Sequence, residues 1–435
     1  MDPVLFDLPD NIDREKYLIG TYYVAGKRNV ESLKYAAALA VEQSTGTWLA
    51  VPAETPELRE KHIARVVGVY EVPNYSWEIP EDVTERQFVT RIAFPVANFT
   101  VQFAMLFTTV LGNIASGGKV KLLDLEFPEC WLKELKGPKF GVPGMRKLLG
   151  IPKRPLVNNM IKPCAGLTPE VTAEFAYEVA VGGTDIVKDD ELIADAGYSP
   201  LEKRVEKVME ALKRANDEKG EKTLYAVNIT DRVDKIKENA MRCLDAGANC
   251  LMVNFLTVGL DGVRMLAEDP DINVPILSHP DFTGAVYASP DTGMSAELIK
   301  AKLPRLAGLD MGIVLSPYGK FPLTPDKFKQ CCQAFLSPLK NIKPAWPMPG
   351  GGTHPGHTEK LVEDLGKDII IAAGGAMHGH PMGATAGAKA FRQSVEIVMQ
   401  GGHLAEAAGT YPELDAALEK WGVAGAQKDI YDLKS

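Results

Sequence analysis

Cysteine, histidine and long apolar runs are all scarce in this chain of 435 residues. The six cysteines, among them adjacent Cys331 and Cys332, lack the paired spacing of a metal site, and such sparse usage is typical of a reduced, intracellular protein. No apolar run reaches the roughly 18 residues of a membrane-spanning helix. The opening stretch MDPVLFDLPDNIDREKY has neither the basic nor the apolar part of a secretory signal. We therefore expect a cytoplasmic protein that has no membrane partner.

Positive charge is also in short supply. Lysine and arginine number 48 against 57 acidic residues, which gives a formal net charge of −9. This balance disfavours a polyanionic partner such as nucleic acid. A small anionic substrate remains compatible with it, because a local cationic pocket can sit on an acidic protein. What is present is a globular composition, with 46% hydrophobic and 24% charged residues, which allows a large core.

The sequence pattern divides the chain into two regions. Over residues 1–140, strand-like runs such as YLIGTYYVAG and HIARVVGVYEV flank the helical run VESLKYAAALAVEQS, which predicts an α+β domain. From Leu156 onward, eight short apolar strands alternate with helices. That alternation favours a parallel (β/α)8 barrel over an open sheet, so residues 141–435 are expected to form a barrel domain with a C-terminal helical extension.

Charged residues follow several predicted strands at their C-terminal ends, where barrel enzymes place their chemistry. Lys162 ends strand one, Lys188-Asp-Asp-Glu191 ends strand two, His279 ends strand five and Lys320 follows strand six. Because side chains alternate along a strand, Lys188, Asp190 and Glu191 are expected to converge while Asp189 points away. Carboxylate oxygens of this kind suit Mg²⁺, although a loop that merely solvates its charges is the alternative.

Glycines follow the last two predicted strands. Gly351 and Gly352 come after strand seven, and Gly374 and Gly375 after strand eight. Barrels commonly bind a phosphate there through bare backbone N–H groups, so we predict a phosphate site, with ordinary turns as the alternative. The nearby histidines do not form the helical pair and third ligand of a zinc site.

Five motifs give the chain a resemblance to a known family over residues 17–400. They are Lys162-Pro-x-x-Gly-Leu-Thr, Gly183-Thr-Asp-Ile-Val-Lys-Asp-Asp-Glu, Gly379-His-Pro-Met-Gly, Glu42-Gln-Ser-Thr-Gly-Thr-Trp and Leu111-Gly-Asn. In these motifs the chain resembles the large chain of ribulose-bisphosphate carboxylase (RuBisCO), and most closely its RuBisCO-like, form IV branch. The resemblance implies a ferredoxin-like α+β N-terminal domain, a (β/α)8 barrel, and a homodimer or assembly of dimers.

The resemblance also implies roles for individual residues. Lys188 would be carbamylated by CO₂ and would hold one Mg²⁺ with Asp190 and Glu191, while Lys162 would move the substrate proton. His279 would be a catalytic residue at the rim, and Glu42 and Asn113 would reach the site from the partner subunit. The residues that would bind the substrate and its phosphate are Thr47, Trp48, Lys320, Gly351, Gly352, Gly374 and Gly375.

Several family positions carry different residues here. Cys164 replaces a second lysine and Met160 a threonine, while Pro280, Thr283 and Ile313 replace an arginine and two histidines, and Gly350 replaces a serine. The lost cations belong to the site of a second phosphate. Their absence would cost a bisphosphate about 1.5–3 kcal/mol for each missing charge-assisted hydrogen bond.

We therefore expect a Mg²⁺-dependent enzyme that forms an enolate or enediolate from a monophosphorylated keto-sugar or keto-acid, without fixing CO₂. The sequence leaves isomerase, enolase and 3-oxo-acid-phosphate decarboxylase open. The methionine-salvage enolase branch is weakened because Asn113 stands where that branch places a catalytic lysine. A true ribulose-1,5-bisphosphate carboxylase and a catalytically silent regulatory homologue are the alternatives.

Overall fold

The computed structural model describes residues 2–46 and 51–424. The chain divides into two compact units, one formed by Met1–Lys136 with Phe282–Ile299 and the other by Gly137–Asp281 with Lys300–Ser435. Among the helices of the described ranges, none combines the length and the hydropathy that crossing a membrane requires.

Thirteen strands are present in the described residues. In chain order they are β1 Tyr17–Lys27, β2 Arg65–Glu71, β3 Glu85–Pro95, β4 Val120–Glu126, β5 Leu156–Met160, β6 Ile186–Lys188, β7 Leu224–Asn228, β8 Cys250–Asn254, β9 Ile276–His279, β10 Gly293–Met294, β11 Met311–Leu315, β12 Trp346–Gly350 and β13 Ile370–Ala373.

Seventeen α-helices accompany these strands in the described part of the chain. They are α1 Ser32–Glu42, α2 Pro56–His62, α3 Phe103–Val110, α4 Glu129–Glu134, α5 Gly141–Leu149, α6 Pro169–Val181, α7 Leu201–Lys219, α8 Ile236–Asp245, α9 Phe255–Val258, α10 Leu260–Glu268, α11 Gly284–Tyr287, α12 Leu303–Leu306, α13 Pro325–Leu336, α14 Thr358–Leu365, α15 Gly375–His378, α16 Ala384–Met399 and α17 Pro412–Trp421.

The first unit is built on a sheet in which β4, β1, β3 and β2 lie side by side and pair antiparallel. With α1 and α2 between β1 and β2, and α3 between β3 and β4, this is the ferredoxin-like arrangement that the sequence predicted. The short β10 adds to the free edge of β4 as a parallel neighbour. Sequence periodicity could not reveal β10, because a strand of two residues has no alternation to detect.

The second unit is the predicted parallel barrel. Its strands follow the order β12-β11-β9-β8-β7-β6-β5-β13, and β12 lies close to β13, so the eight-stranded barrel is nearly closed. The interior is apolar, as short buried strands require. Fully buried side chains that fill it include Leu156, Ile186, Leu224, Met252, Leu277, Met311, Met348 and Ile370.

Local signals place the crossover helices next to the strands that carry the charged residues. Thr168 caps α6 by accepting a hydrogen bond from Val171 N, and Pro169 follows at the first helical position. Gly220 ends α7 with φ of 73°, in the left-handed region that favours glycine. Thr168 thus sets where α6 starts after β5, and Gly220 sets where the chain leaves α7 before β7.

Candidate functional site

Lys162 lies just beyond the C-terminal end of β5, and it faces the acidic end of β6. Its Nζ atom lies 2.5 Å from Asp190 Oδ2 and 3.0 Å from Cys164 Sγ. Burial alone would lower the pKa of Lys162, but the hydrogen bonds to Asp190 and Cys164 outweigh it and raise that pKa above its usual value. In this arrangement Lys162 is therefore protonated and can supply a proton.

Lys188 is the last residue of β6, and its side chain is completely buried. Nζ lies 2.8 Å from the backbone oxygen of Asp189 and 3.3 Å from Glu191 Oε2. Burial lowers the pKa of Lys188, even though Glu191 and Asp190 oppose that shift. The lowered pKa makes the neutral amine easier to form, and the neutral amine is the form in which a lysine can attack CO₂ to give a carbamate.

His279 ends β9 and reaches the same carboxylate. Its Nε2 atom lies 3.1 Å from Glu191 Oε2. Burial would raise the pKa of Glu191, but the hydrogen bond from His279 and the charge of Lys188 more than offset it and hold that pKa well below its usual range. The pKa of His279 itself is lowered, chiefly by burial. Glu191 is therefore ionised and shared between two basic side chains.

Asp189 points away from this cluster, as the strand alternation predicted. Its buried carboxylate accepts hydrogen bonds from Arg204 Nε at 3.3 Å, the Tyr225 hydroxyl at 2.5 Å and the Asn228 backbone N–H at 3.0 Å. Arg204 is fully buried and also bonds the carbonyl oxygens of Ala194 and Ser199 in the loop after β6. Asp189 therefore stabilises the fold. Its direction away from the cluster alone would have suggested that the side chain is dispensable.

Two asparagines that sequence analysis missed hold the end of the acidic stretch. Asn228 ends β7 and Asn254 ends β8, and their Nδ2 atoms donate to the backbone oxygen of Glu191 at 3.2 and 3.1 Å. The signal was available, because both are polar residues at C-terminal ends of buried barrel strands.

The glycines after β12 lie against the loop that carries Lys320. Gly351 and Gly352 have φ of 92° and 96°, a conformation that side chains other than glycine rarely adopt. A Cβ on Gly352 would lie 2.8 Å from Lys320 N. Lys320 is exposed, and its Nζ lies 5.6 Å from the centroid of the Phe321 ring. The structure therefore brings these predicted phosphate-site residues together.

The two glycines after β13 differ in their surroundings. A Cβ on Gly374 would meet Lys162 Cε at 3.2 Å and Met160 O at 3.0 Å, whereas a Cβ on Gly375 would meet nothing within 4 Å. Gly374 therefore makes room for the Lys162 side chain. Gly375 begins α15 and leaves its backbone accessible to a ligand.

The candidate residues of the first unit form a pair of their own. Asn113 Nδ2 donates to Glu42 Oε1 at 3.0 Å. Thr47 and Trp48, which the sequence predicted as substrate-binding residues, lie outside the described residues.

Two of the substituted family positions, Ile313 and Gly350, have apolar surroundings in the barrel. Ile313 is 5% exposed and belongs to the barrel core with Met348. A Cβ on Gly350 would lie 3.3 Å from that of Ala372. Thr283 belongs to the segment that groups with the first unit.

A divalent cation such as Mg²⁺ needs several oxygen donors, of which carboxylates are the most common in proteins. Within residues 2–46 and 51–424, no three His, Cys, Asp or Glu side chains are grouped so that they could hold a metal ion. Glu191 contacts the Lys188 amine and Asp190 lies close enough to influence its charge, so a carbamate on Lys188 would add a third anionic donor to these two carboxylates. The residues thus fit Mg²⁺ once Lys188 is carbamylated.

Family profiles match nearly the whole chain. The profile of the N-terminal domain of the ribulose bisphosphate carboxylase large chain covers residues 8–131, and that of the catalytic domain covers residues 141–321 and 323–421.

Known relatives carry names of both carboxylase and enolase type. A ribulose bisphosphate carboxylase-like protein of Archaeoglobus fulgidus is 52% identical over 394 residues, 91% of this chain and 90% of its own. A 2,3-diketo-5-methylthiopentyl-1-phosphate enolase of Bacillus licheniformis is 39% identical over 405 residues, 93% of this chain and 98% of its own. The solved dimeric archaeal Rubisco from Hyperthermus butylicus matches with a TM-score of 0.85 and 30% identity, covering 96% of this chain and 99% of that one. From its sequence, its two-unit fold and its strand-end residues, this chain belongs to the ribulose bisphosphate carboxylase large chain family and is a RuBisCO-like protein.

Proposed function

We propose that this protein is a Mg²⁺-dependent enzyme that enolises a monophosphorylated keto-sugar or keto-acid and does not fix CO₂. A non-carboxylating enzyme of enolase type fits the relatives named as 2,3-diketo-5-methylthiopentyl-1-phosphate enolases. The isomerase and decarboxylase variants of the same chemistry stay open. All three need a group that moves a proton and a means of stabilising an oxyanion.

One observation carries the proposal, namely the convergence of Lys162, Lys188, Asp190, Glu191 and His279 at the ends of three strands. Lys162 contacts Asp190, Lys188 contacts Glu191, and His279 contacts the same Glu191 oxygen. A catalytically silent homologue would have no need for two buried or half-buried lysines beside two carboxylates.

Each of these residues would have its own role in the reaction. Lys188 as its carbamate, with Asp190 and Glu191, would hold Mg²⁺, which when bound stabilises negative charge on the substrate's carbonyl oxygen and its neighbour. Lys162 would carry the proton to or from the carbon beside the carbonyl. The hydrogen bond to Asp190 raises the pKa of Lys162, so engagement of Asp190 elsewhere would leave burial to lower that pKa and would favour the neutral amine.

The substrate would be anchored through one phosphate. Gly351, Gly352 and Gly375 would bind it by backbone N–H groups, with Lys320 close to Gly352. Ile313, buried in the apolar core, offers no charge for a second phosphate. This asymmetry is the reason for preferring a monophosphate to ribulose 1,5-bisphosphate.

The active unit would be a homodimer or an assembly of dimers, located in the cytoplasm. Glu42 and Asn113, already paired with each other, would complete the site of the partner subunit. If so, mixing inactive Asn113→Ala chains with inactive Lys162→Ala chains should restore part of the activity once subunits exchange.

A substrate comparison tests the proposal. Protein preincubated with MgCl₂ and bicarbonate would be given 2,3-diketo-5-methylthiopentyl-1-phosphate, 5-methylthioribulose 1-phosphate and a branched 3-oxo sugar-acid phosphate, with ribulose 1,5-bisphosphate and labelled CO₂ in parallel. We expect turnover of a monophosphate and no label fixed. Carboxylation of the bisphosphate would support the carboxylase alternative, and inactivity toward every compound would support the silent homologue.

A further inference from the structure

Asn254 has a hydrogen-bonding atom that its structural role does not use. The Asn254 side chain ends β8 and donates from Nδ2 to Glu191 O at 3.1 Å, but its buried Oδ1 has no hydrogen-bond partner among the described residues. The residue is only 6% exposed. A buried amide oxygen without a partner is costly, so it is normally satisfied by an ordered water, an ion or a bound ligand.

The orientation of the Asn254 amide is fixed by its contact. Nδ2 must face Glu191 O, because turning the amide over would place two oxygens against each other. Oδ1 therefore points away from the Glu191 backbone. The backbone N–H of Asn254 is itself bonded to Thr230 Oγ1 at 2.9 Å, which holds the residue in place.

A second unpartnered atom lies at the adjacent strand end. Asn254 and His279 are register partners on β8 and β9, and His279 Nδ1 is also buried without a hydrogen-bond partner among the described residues. His279 Nε2 is engaged with Glu191. With Nε2 donating its proton to that carboxylate, Nδ1 is an acceptor. Two unused acceptors thus flank Glu191.

We propose that Asn254 is a substrate-binding residue whose Oδ1 accepts a hydrogen bond from a hydroxyl group of the substrate. The inference rests on the proposed function and deepens it: the substrate would be a hydroxylated phosphorylated ketone, and Asn254 would distinguish it from the analogue that lacks that hydroxyl. His279, its register partner on the neighbouring strand, also has a buried atom, Nδ1, without a partner among the described residues.

Asn228 supplies a matched control. Its Nδ2 donates to the same Glu191 oxygen, at 3.2 Å, but its Oδ1 already accepts from Thr230 N at 3.1 Å and Thr230 Oγ1 at 2.6 Å. Asn228→Ala therefore removes the same support of Glu191 and keeps Asn254 Oδ1, while the Thr230 hydroxyl loses an acceptor but can still accept from Asn254 N. Any effect specific to Asn254→Ala reports on its Oδ1 atom.

The test measures binding of ribulose 1-phosphate and of its 3-deoxy, 4-deoxy and 5-deoxy analogues to the dimer preincubated with MgCl₂ and bicarbonate, by titration calorimetry. Wild type should bind ribulose 1-phosphate about tenfold more tightly than one of the deoxy analogues, as expected for a single buried hydrogen bond. In Asn254→Ala that preference should fall below about twofold. Asn228→Ala should weaken all four ligands alike and keep the preference.

Three outcomes would overturn the assignment. Asn254→Ala could keep the preference, Asn228→Ala could lose it, or Asn254→Ala could weaken Mg²⁺ binding alone, which would make Oδ1 a cation ligand. If Asn254→Ala does not fold, Asn254→Leu keeps the volume without the acceptor and must give the same loss. Failure of wild type to bind any of the four ligands would count against the proposed function itself, whereas binding without a hydroxyl preference would refute only the role of Asn254.

Discussion

The charged residues at the two ends of strand β6 differ in how completely they are hydrogen-bonded. At the N-terminal end, the buried Asp185 carboxylate is bonded by both terminal nitrogens of Arg154 at 2.7 Å and by Val157 N at 2.8 Å. At the C-terminal end, the hydrogen-bond partners of Lys188 among the described residues are a backbone oxygen and the shared carboxylate of Glu191. The comparison teaches that a charge whose hydrogen bonds are saturated holds the barrel together, while an incompletely paired one is available for chemistry.

The largest expected effect comes from Lys162 at the C-terminal end of the barrel. Lys162→Met keeps the side-chain length and removes the amine, and it should lower kcat on the monophosphate that wild type turns over by about 10²–10⁴-fold, the usual contribution of a general acid or base. Its thermal unfolding should change less than that of Asp185→Asn, since Lys162 is half-buried and Asp190 keeps a hydrogen bond from Leu192 N. A variant that lost stability but kept its rate would contradict the assignment of this end to catalysis.

Asp185 should behave in the opposite way. Asp185→Asn leaves Arg154 without its bidentate partner, and we expect the free energy of unfolding to fall by about 3–5 kcal/mol, as measured by urea denaturation. The kcat of the protein that remains folded should be close to wild type. A loss of kcat without a loss of stability would show that the comparison between the two strand ends is mistaken.

Adjacent Asp189 and Asp190 allow a structural carboxylate to be compared with a proposed metal-binding one within a single segment. Asp189→Asn should resemble Asp185→Asn in stability, because it breaks the buried pair with Arg204, and should cost about 3–5 kcal/mol. Asp190→Asn should instead weaken Mg²⁺ binding and activity with a smaller effect on unfolding. Isothermal titration with Mg²⁺ alongside urea denaturation separates the two. If Asp189→Asn weakened Mg²⁺ binding while its stability was unchanged, the assignment of the two faces would be wrong.

Asp310 extends the comparison to pH. It lies in the second unit just before β11, where it accepts hydrogen bonds from Phe140 N and Gly141 N, and burial raises its pKa to about 6. Because the folded pKa lies above the unfolded value of 3.8, its contribution to stability is full below that value and is lost as the pH rises through about 6. The change should amount to no more than about 3 kcal/mol. Unfolding measured between pH 4 and pH 8 should show this component in wild type but not in Asp310→Asn.

The glycines after β13 give the smallest effects. Gly374→Ala should displace Lys162 and lower kcat by about tenfold, a change of roughly 1.4 kcal/mol in the barrier. Gly375→Ala meets no atom within 4 Å and should change KM more than kcat. Equal effects of both variants on kcat would mean that Gly374 does not make room for Lys162.

Much of the architecture followed from the sequence because its signals are local. Eight apolar strands, their crossover helices and the lysines at strand ends are all visible as short patterns. The Asp189–Arg204 pair joins side chains that are adjacent only because α7 packs beside β6, so no spacing rule announces it. Asn228 and Asn254 likewise both donate to the backbone oxygen of Glu191, and they can do so because three strands meet in the barrel. Local patterns thus predicted the charged side chains at the strand ends, whereas the residues that support them required the folded barrel.

The most direct test of the central claim is exchange of the proton beside the substrate carbonyl. Wild type, Lys162→Met and Asp185→Asn, each preincubated with MgCl₂ and bicarbonate, would be mixed in D₂O with the monophosphate that wild type turns over, and deuterium incorporation followed by NMR. The account predicts exchange by wild type and by the folded fraction of Asp185→Asn, and a loss of about 10²-fold or more in Lys162→Met. Undiminished exchange in Lys162→Met would contradict it.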